Sequence, residues 1–417
     1  MNPGTAQETG CVIAGGGPAG VVLGWLLARA GVEVVVLEKY ADFRRDFRGD
    51  TVHASTLQIM DDLGVGDEFL AIPHQRESSV LAVTDDGEMP LADFSDLRTK
   101  YPFIAYMPQW DLLDFVTSQA RQYPWFRIEM NARATGLIEA DGRITGVRYV
   151  QNGTERELRA PLTVAADGRH SVLRADAGLP VREFGTPMDL LWFRLTRKDT
   201  DPARTFARLS RGSMVAMIHR GDYWQAAYVI PKGTAEAWSD AARLDQFRRR
   251  IETLIPWLGG RTTEITSWDD VHELDVRLDR AERWYRDGFL AIGDAAHAMS
   301  VVGGVGINLA VQDAVAAARI LAPALITGRV DKRLLARVQK RRSLPTALTQ
   351  RLQRTIQDRF LTPLLAGQTE GRPPAILRAL FRLGPLQRAK ARIVAVGFRP
   401  ERATGLPQVK KEVYGGG

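Results

Sequence analysis

The sequence predicts an α/β fold that carries an inserted β-rich region and ends in helices. Two strand–glycine–helix units far apart in the chain point to it: residues 11–38, CVIAGGGPAGVVLGWLLARAGVEVVVLE, and residues 289–318, FLAIGDAAHAMSVVGGVGINLAVQDAVAAA. Each pairs a short, wholly apolar strand with glycines and then a helix, the pattern of an α/β unit. The third observation is a change of pattern from Asp189 to about Ser267. There DLLWFRL, SMVAMIHR and YWQAAYVI read as strands, with Arg220-Gly221-Asp222 as a turn between two of them.

At 417 residues the chain has room for two or three domains or one elaborated α/β enzyme. With 45% apolar and 25% charged residues, its composition is that of a soluble globular protein. No run approaches the ~18 to 20 apolar residues that span a bilayer. The N-terminus MNPGTAQETG lacks the basic-then-apolar order of a secretory signal. Cys11 is the single cysteine, which excludes an intrachain disulfide or a cysteine metal cluster; a cytoplasmic compartment and no metal are expected. The formal charge of +7 is regional, because residues 340–402 hold 14 Lys or Arg against three acidic residues. That argues against a nucleic-acid binder and leaves the basic C-terminal helices as the candidate for peripheral membrane contact.

In the first unit Gly15, Gly17 and Gly20 fit G-x-G-x-x-G, with Pro18 and Ala19 inside the pattern and Glu38 ending the second strand 18 positions after Gly20. This is a Rossmann dinucleotide unit. Its glycines give a tight turn, close approach to a pyrophosphate and close helix–strand packing, and its acidic residue meets a ribose hydroxyl. FAD and NAD proteins share the unit, so the nucleotide stays open. Beyond it, Arg44, Arg45 and Arg48 suit either a phosphate or a solvated turn. His53 is expected to be a hydrogen-bonded structural histidine. Gln109 sits at a helix start, where its amide could reach a ligand.

The strand Leu162–Ala166 runs into Asp167-Gly168-Arg169-His170 and a short basic helix. In residues 289–318, Asp294 at a strand end suits hydroxyl groups rather than phosphate. Gly303, Gly304 and Gly306 let backbone pass close to a ligand, and the helix start offers free N–H groups. An anionic or electron-rich ligand with a polyol tail fits the combination. Four of the nine tryptophans, Trp192, Trp224, Trp238 and Trp257, lie in the β-rich stretch. Trp192 and Trp224 are the candidates for a face that closes over a hydrophobic ligand, with ordinary sheet packing as the plainer account. Leu344, Leu348, Leu352, Ile356 and Phe360 recur every four residues, predicting a helix with one apolar stripe and Arg351, Arg354 and Arg359 outside it.

Taken in order, the glycine-rich unit with Glu38, the Asp167-Gly168 segment and the Gly293-Asp294 segment resemble the single-component, FAD-dependent aromatic hydroxylases, the fold typified by p-hydroxybenzoate hydroxylase. The resemblance covers about residues 10–345. It implies a glutathione-reductase-like FAD-binding Rossmann domain (residues 1–75, 100–185 and 270–345), an inserted β-sheet substrate domain (76–99 and 186–269) and a C-terminal basic helical region (346–417).

The same resemblance implies non-covalent FAD. Gly15, Gly17, Pro18, Ala19, Gly20, Glu38 and Lys39 would hold its AMP half, and Arg48 and Gln109 its pyrophosphate and ribityl chain. Asp294 would bind ribityl hydroxyls, and Gly304, Gly306, Ile307 and Asn308 would meet the flavin's N1–C2 edge. Asp167 and His170 fall where the family's second motif serves both FAD and NAD(P)H, with Arg44 and Arg45 joining His170 in the nicotinamide cleft. The loop Val301, Val302 and Gly303 lies beside the reacting edge of the flavin.

The implied chemistry is reduction of FAD by NADH or NADPH, oxygen addition at C4a, and hydroxyl transfer to an apolar aromatic or polyketide-like small molecule. Many relatives carry a Pro-Pro pair and a Gln or Lys where this chain has Ser300-Val301 and Val305. A less rigid loop that leaks peroxide is therefore expected. A reductase or dehydrogenase of the same fold, such as those that saturate prenyl chains, stays open as an alternative. Monomer and homodimer are both open. The W-x-W-x-I-P motif of tryptophan halogenases is absent.

Overall fold

The computed structural model describes residues 7–44, 51–238, 240–369 and 384–409. At its centre the strand Cys11–Ala14, buried at every position, pairs in parallel with Val34–Leu37 on one side and Thr163–Ala165 on the other. Phe126–Glu129 extends the sheet past Val34–Leu37, and Phe289–Ala291 extends it past Thr163–Ala165. Wholly apolar strands fit this position because helices or other layers cover both faces. The register sets Ala14, Ala165 and Ala291 side by side. The loops carrying Gly15–Gly20, Asp167-Gly168 and Gly293-Asp294 therefore leave the carboxyl ends of three adjacent strands, where open α/β sheets bind their ligands.

A seven-stranded sheet forms the second layer, in the order His272–Leu274, Met188–Thr196, Tyr223–Pro231, Ser213–His219, Phe206–Ser210, Ser79–Thr84 and Gly87–Asp93. The segment around residues 79–93 thus joins the Asp189–Ser267 strands in one sheet. Alternation gives it two faces. Leu191, Phe193, Leu195, Trp224 and Tyr228 pack with Phe247 and Ile251 of the helix Ala241–Leu254 on the outer face. Met188, Leu190, Trp192, Ala227 and Val229 turn the other way, into the core shared with the parallel sheet.

The helix Gly306–Ile326 is apolar and long enough to cross a membrane, but 72% of its apolar window is buried inside the protein, as a core helix would be. The next helix, Lys332–Ile356, runs unbroken through the boundary expected between residues 345 and 346. Its orientation differs from the apolar-stripe expectation. Leu344, Leu348 and Leu352 are exposed, whereas Arg342, Thr346, Thr349, Gln350 and Gln353 are buried. On the inward polar face Arg342 Nε donates to Asp313, Gln350 to Asp279 O and Gln353 to Ser300 O, while Thr346 and Thr349 donate to carbonyls of their own helix. Residues after 397 return to the first layer, where Arg402 pairs with Asp62 and Val409 N–H donates to Arg29 O.

Asp313 anchors this assembly. Its Oδ2 accepts from Gly293 N–H at 3.1 Å and lies 2.6 Å from His297 Nε2, and its Oδ1 accepts from Arg342 Nε at 2.9 Å. Arg342 Nη1 stands 3.7 Å from Glu401 Oε1. Burial pushes the Asp313 carboxyl up, but the charges and hydrogen bonds of His297 and Arg342 outweigh it and hold the group below the usual carboxylate range. Asp313→Asn leaves the buried Arg342 with only the more distant Glu401 as counter-charge, and breaking a buried pair in this way costs ~3–5 kcal/mol at most. Urea unfolding at neutral pH should show that loss. A depressed carboxyl contributes stability above its unfolded value (~3.9) that is lost as pH falls through the folded one, so the gap between native protein and variant should narrow in acid. A small gap, or one that stays constant into acid, would contradict the role given to Asp313.

Candidate active site

Close backbone packing shapes the first loop. Gly15 has φ +111°, and a Cβ on it would sit 2.2 Å from Ala166 O; one on Gly20 would sit 1.9 Å from Gly15 O. Gly17 differs, with an ordinary φ of −76° and nothing within 4 Å of a Cβ built there. The space over Gly17 faces the start of the helix Pro18–Arg29, which has no side-chain cap. Its first-turn N–H groups are free for an anion. Glu38 is almost fully buried, with Oε2 accepting from Gly16 N–H at 2.8 Å and Oε1 from Tyr40 N–H at 3.0 Å. Gly16 therefore belongs to the site although the glycine pattern leaves it unmarked. A Cβ there would meet Glu38 Oε2 at 2.8 Å. Lys39 is exposed and stands over the Tyr40 ring.

Two arginines stitch the second loop to the third. Arg174 Nη1 donates to Ala295 O at 3.0 Å and Nη2 to Arg169 O at 3.2 Å. Arg169 donates to Asp275 O at 2.9 Å and reaches Asp294 Oδ2 at 3.4 Å. Gly293, with φ +58°, lets this turn approach so closely that a Cβ would sit 2.9 Å from Ala19 Cβ, which sets Asp294 next to the first helix. Asp167 Oδ2 accepts from Leu173 N–H at 3.3 Å, while its Oδ1 is buried with no hydrogen-bond partner. Burial pushes its carboxyl up, against the opposing pull of the Ser171 hydroxyl and nearby N–H groups. A buried acceptor without a donor marks a place for one from outside the chain.

The helix Gly306–Ile326 also starts without a side-chain cap. Gly306, Ile307 and Asn308 carry first-turn N–H groups that helix geometry leaves unused. The Asn308 side chain is committed elsewhere: Oδ1 accepts from His53 N–H at 2.9 Å and Thr56 Oγ1 at 2.7 Å, and Nδ2 donates to Thr51 O at 3.2 Å. Thr51 Oγ1 in turn donates to Gly304 O at 2.6 Å. His53 has the structural place expected of it, with Nδ1 2.7 Å from Val394 O and burial driving its pKa down to about 4. Val301, Val302 and Gly303 lie in the preceding loop, where Gln353 holds the backbone of Ser300 and Val302. The expectation of a soft loop overlooked that brace, which comes from a helix some fifty residues later in the chain.

Trp224 is corrected out of the site. It is fully buried on the outer sheet face, donates from Nε1 to Asp201 Oδ2 at 2.9 Å, and packs against Phe206 and Trp257. The antiparallel register explains this: Trp224 pairs with Leu195 and Trp192 with Ala227, so the two indoles point to opposite faces. Trp192 stays on the inner face. Arg45 and Arg48 lie outside the described residues. Partial burial pushes up the carboxyls of Asp111 and Asp114, with the Arg44 charge opposing it, at the start of the helix Gln109–Ala120, whose first residue is the half-buried Gln109. His170 lies elsewhere, 3.7 Å from Asp275 Oδ2, with its pKa lowered by partial burial and then by the Arg277 charge. No described contact joins Arg44 to His170. Among the described residues no cluster of metal-ligating side chains occurs. The C-terminal helix Gly384–Ala395 buries Ala391 and Ala395 in the main core.

Residues 8–352 match the FAD binding domain family. The chain belongs to that family. This FAD-dependent monooxygenase is 30% identical over 401 residues to 6-methylpretetramide 4-monooxygenase of Streptomyces rimosus, covering 95% of this chain and 94% of the relative. It is 26% identical to para-nitrophenol 4-monooxygenase of a Pseudomonas species, covering 78% and 80%. Two solved structures share its fold. OxyS anhydrotetracycline hydroxylase from Streptomyces rimosus has a TM-score of 0.70 at 23% identity, covering 93% of this chain and 76% of that one. Pseudomonas aeruginosa PqsL, in complex with 2-aminobenzoylacetate, has a TM-score of 0.73 at 21% identity, covering 87% and 98%.

FAD fits the residues of this flavin monooxygenase. The open space over Gly17 admits a pyrophosphate, the unpartnered Asp167 oxygen awaits a donor, and two uncapped helix starts suit anionic atoms. Gly17→Val should therefore fold, with an apo-protein stability within about 1 kcal/mol of native, and yet retain no FAD. Gly20→Ala should instead destabilise the apo-protein by forcing Gly15 aside. Apo-protein melting curves together with the 450 nm flavin absorbance per chain distinguish the two, and a fully flavinated Gly17→Val protein would contradict this reading of the space.

Proposed function

We propose that the monooxygenase hydroxylates a flat, apolar aromatic or polyketide-like molecule, using NADH or NADPH as reductant. The observation that carries the substrate class is the inner face of the seven-stranded sheet. Across three neighbouring strands the directly paired positions are Ala216, Ala227 and Trp192. Two alanines beside an indole make a low shelf with a flat aromatic end, suited to a fused ring system rather than a small charged acid. The relative that acts on 6-methylpretetramide points the same way.

Bound FAD would supply the redox chemistry: NAD(P)H, a proton, oxygen and substrate yield NAD(P)+, hydroxylated product and water. The chain's own groups bind and orient. Glu38, its carboxylate fixed by Gly16 and Tyr40, would take the ribose hydroxyls, and Asp294, oriented by Arg169, the ribityl hydroxyls. The N–H groups of Gly306, Ile307 and Asn308 would face negative charge on the reduced flavin, with one helix terminus contributing ~0.3–2 kcal/mol. The Val301–Gly303 loop would exclude water from the reacting edge.

Arg169 and Arg277, both bonded to Asp275 beside His170, would dock the nicotinamide nucleotide's phosphates, and Arg277 is the first residue to test. Arg277→Glu should raise KM for NAD(P)H about tenfold, the loss of one charged hydrogen bond of ~1.5 kcal/mol, without changing FAD content. Added salt should weaken NAD(P)H binding in the same direction. An unchanged KM would return the nucleotide to the Arg44 side. The substrate class is tested by NAD(P)H oxidation with a panel of planar polycyclic phenols and small aromatic acids. Acceleration by the acids alone would overturn the shelf.

A further inference from the structure

We infer that Gln353 is a positioning residue that sets the Val301–Gly303 loop, and through it the fraction of reducing equivalents that end in product rather than peroxide. The inference rests on the monooxygenase reading. It starts from an inverted helix. The helix Lys332–Ile356 turns Leu344, Leu348 and Leu352 outward and buries Gln350 and Gln353, with Gln357 buried where the helix widens into a π-helical turn. Burying primary amides is unfavourable unless each finds partners. Gln353 finds all of its partners on one strip of chain, and Gln350 and Gln357 on either side of it touch the same strip.

Gln350 Nε2 donates to Asp279 O at 2.7 Å and to Ala298 O at 3.2 Å, and Gln357 Nε2 donates to Ser300 Oγ at 3.2 Å. Between them Gln353 accepts from Ser300 N–H at 3.2 Å and donates to both Ser300 O and Val302 O at 2.8 Å. Spaced three and four residues apart, the glutamines stand one above another on a single helix face. Gln353 reads the backbone of Ser300 and Val302 as a strand partner would, with Gln350 on Ala298 O and Gln357 on the Ser300 hydroxyl beside it. Leucines here would bury more simply, but they would leave those carbonyls unsatisfied and the loop free to move. A fully satisfied buried network fixes one geometry. Val301 has φ −67°, the value a proline ring would impose, so the amides hold by hydrogen bonding what a ring would hold covalently.

Gln353→Leu, similar in size but unable to donate or accept, tests this. In apo-protein the amides of residues 298–304 should exchange with deuterium about tenfold faster, as expected for losing roughly one net hydrogen bond. With FAD bound at native stoichiometry, the peroxide formed per NAD(P)H should rise at least threefold. The assay uses the panel compound that most accelerates oxidation by the native protein. Adding Val301→Pro to Gln353→Leu should restore at least half of the lost coupling, which a merely structural role for Gln353 would not predict. Native exchange and native coupling in Gln353→Leu would overturn the proposal. If that variant fails to fold, Gln353→Glu decides: it keeps an acceptor for Ser300 N–H but cannot donate to Ser300 O and Val302 O, and unchanged exchange and peroxide there would overturn the proposal equally. If the native protein yields no oxygenated product, the monooxygenase reading fails, while the exchange measurement still judges the brace.

Discussion

Asp313 carries a full charge where water does not reach, and it can do so only because Arg342 and His297 lie against it. The arrangement joins three elements that a ligand site needs together. Through Gly293 N–H it holds the turn that presents Asp294. Through its own helix it fixes the free N–H groups at Gly306. Through Arg342 it pulls in the helix whose glutamines grip the loop beside that start. Replacing one member would expose an uncompensated charge rather than remove a single contact, so the network is all-or-none in character. A cofactor gripped from segments nearly three hundred residues apart needs a rigid join of this kind.

Function follows from where the three loops emerge. The aligned residues Ala14, Ala165 and Ala291 place the glycine-rich turn, the Asp167 turn and the Asp294 turn at one edge of the parallel sheet. Arg174 and Arg169 lock the latter two to each other. The second sheet packs one face, with Trp192 and Ala227, into the core shared with the parallel sheet, while its other face is closed by the helix Ala241–Leu254. Trp192 lies on the face turned to the parallel sheet and Trp224 on the face under that helix, which is why Trp192 keeps its candidacy and Trp224 does not.

Much of this was legible in the sequence because it rests on local chemistry. Gly15, Gly20 and Gly293 are required by backbone approach, and Glu38, Asp167 and Asp294 stand at strand ends that hydropathy marks. What escaped depends on pairing across the chain. Nothing near Asp313 announces Arg342 or Glu401. Gly16 is hidden because its constraint is the Glu38 side chain, 22 residues later. The face of Trp224 depends on strand register, which periodicity cannot supply for a sheet buried on both sides. The leucine repeat of residues 344–352 misled for a related reason. Spacing identifies the stripe on a helix but not which stripe is buried, and here satisfied amides outcompete leucines for the interior.

The most direct test of the account is the fate of molecular oxygen. Turnover under 18O2, with NADH or NADPH and a planar polycyclic phenol, followed by mass spectrometry of the product, should show one oxygen atom from O2 in each product molecule and a stoichiometric loss of the reductant. A product that gains hydrogen but no labelled oxygen, formed equally well without O2, would make the protein a reductase of the same fold and contradict the account.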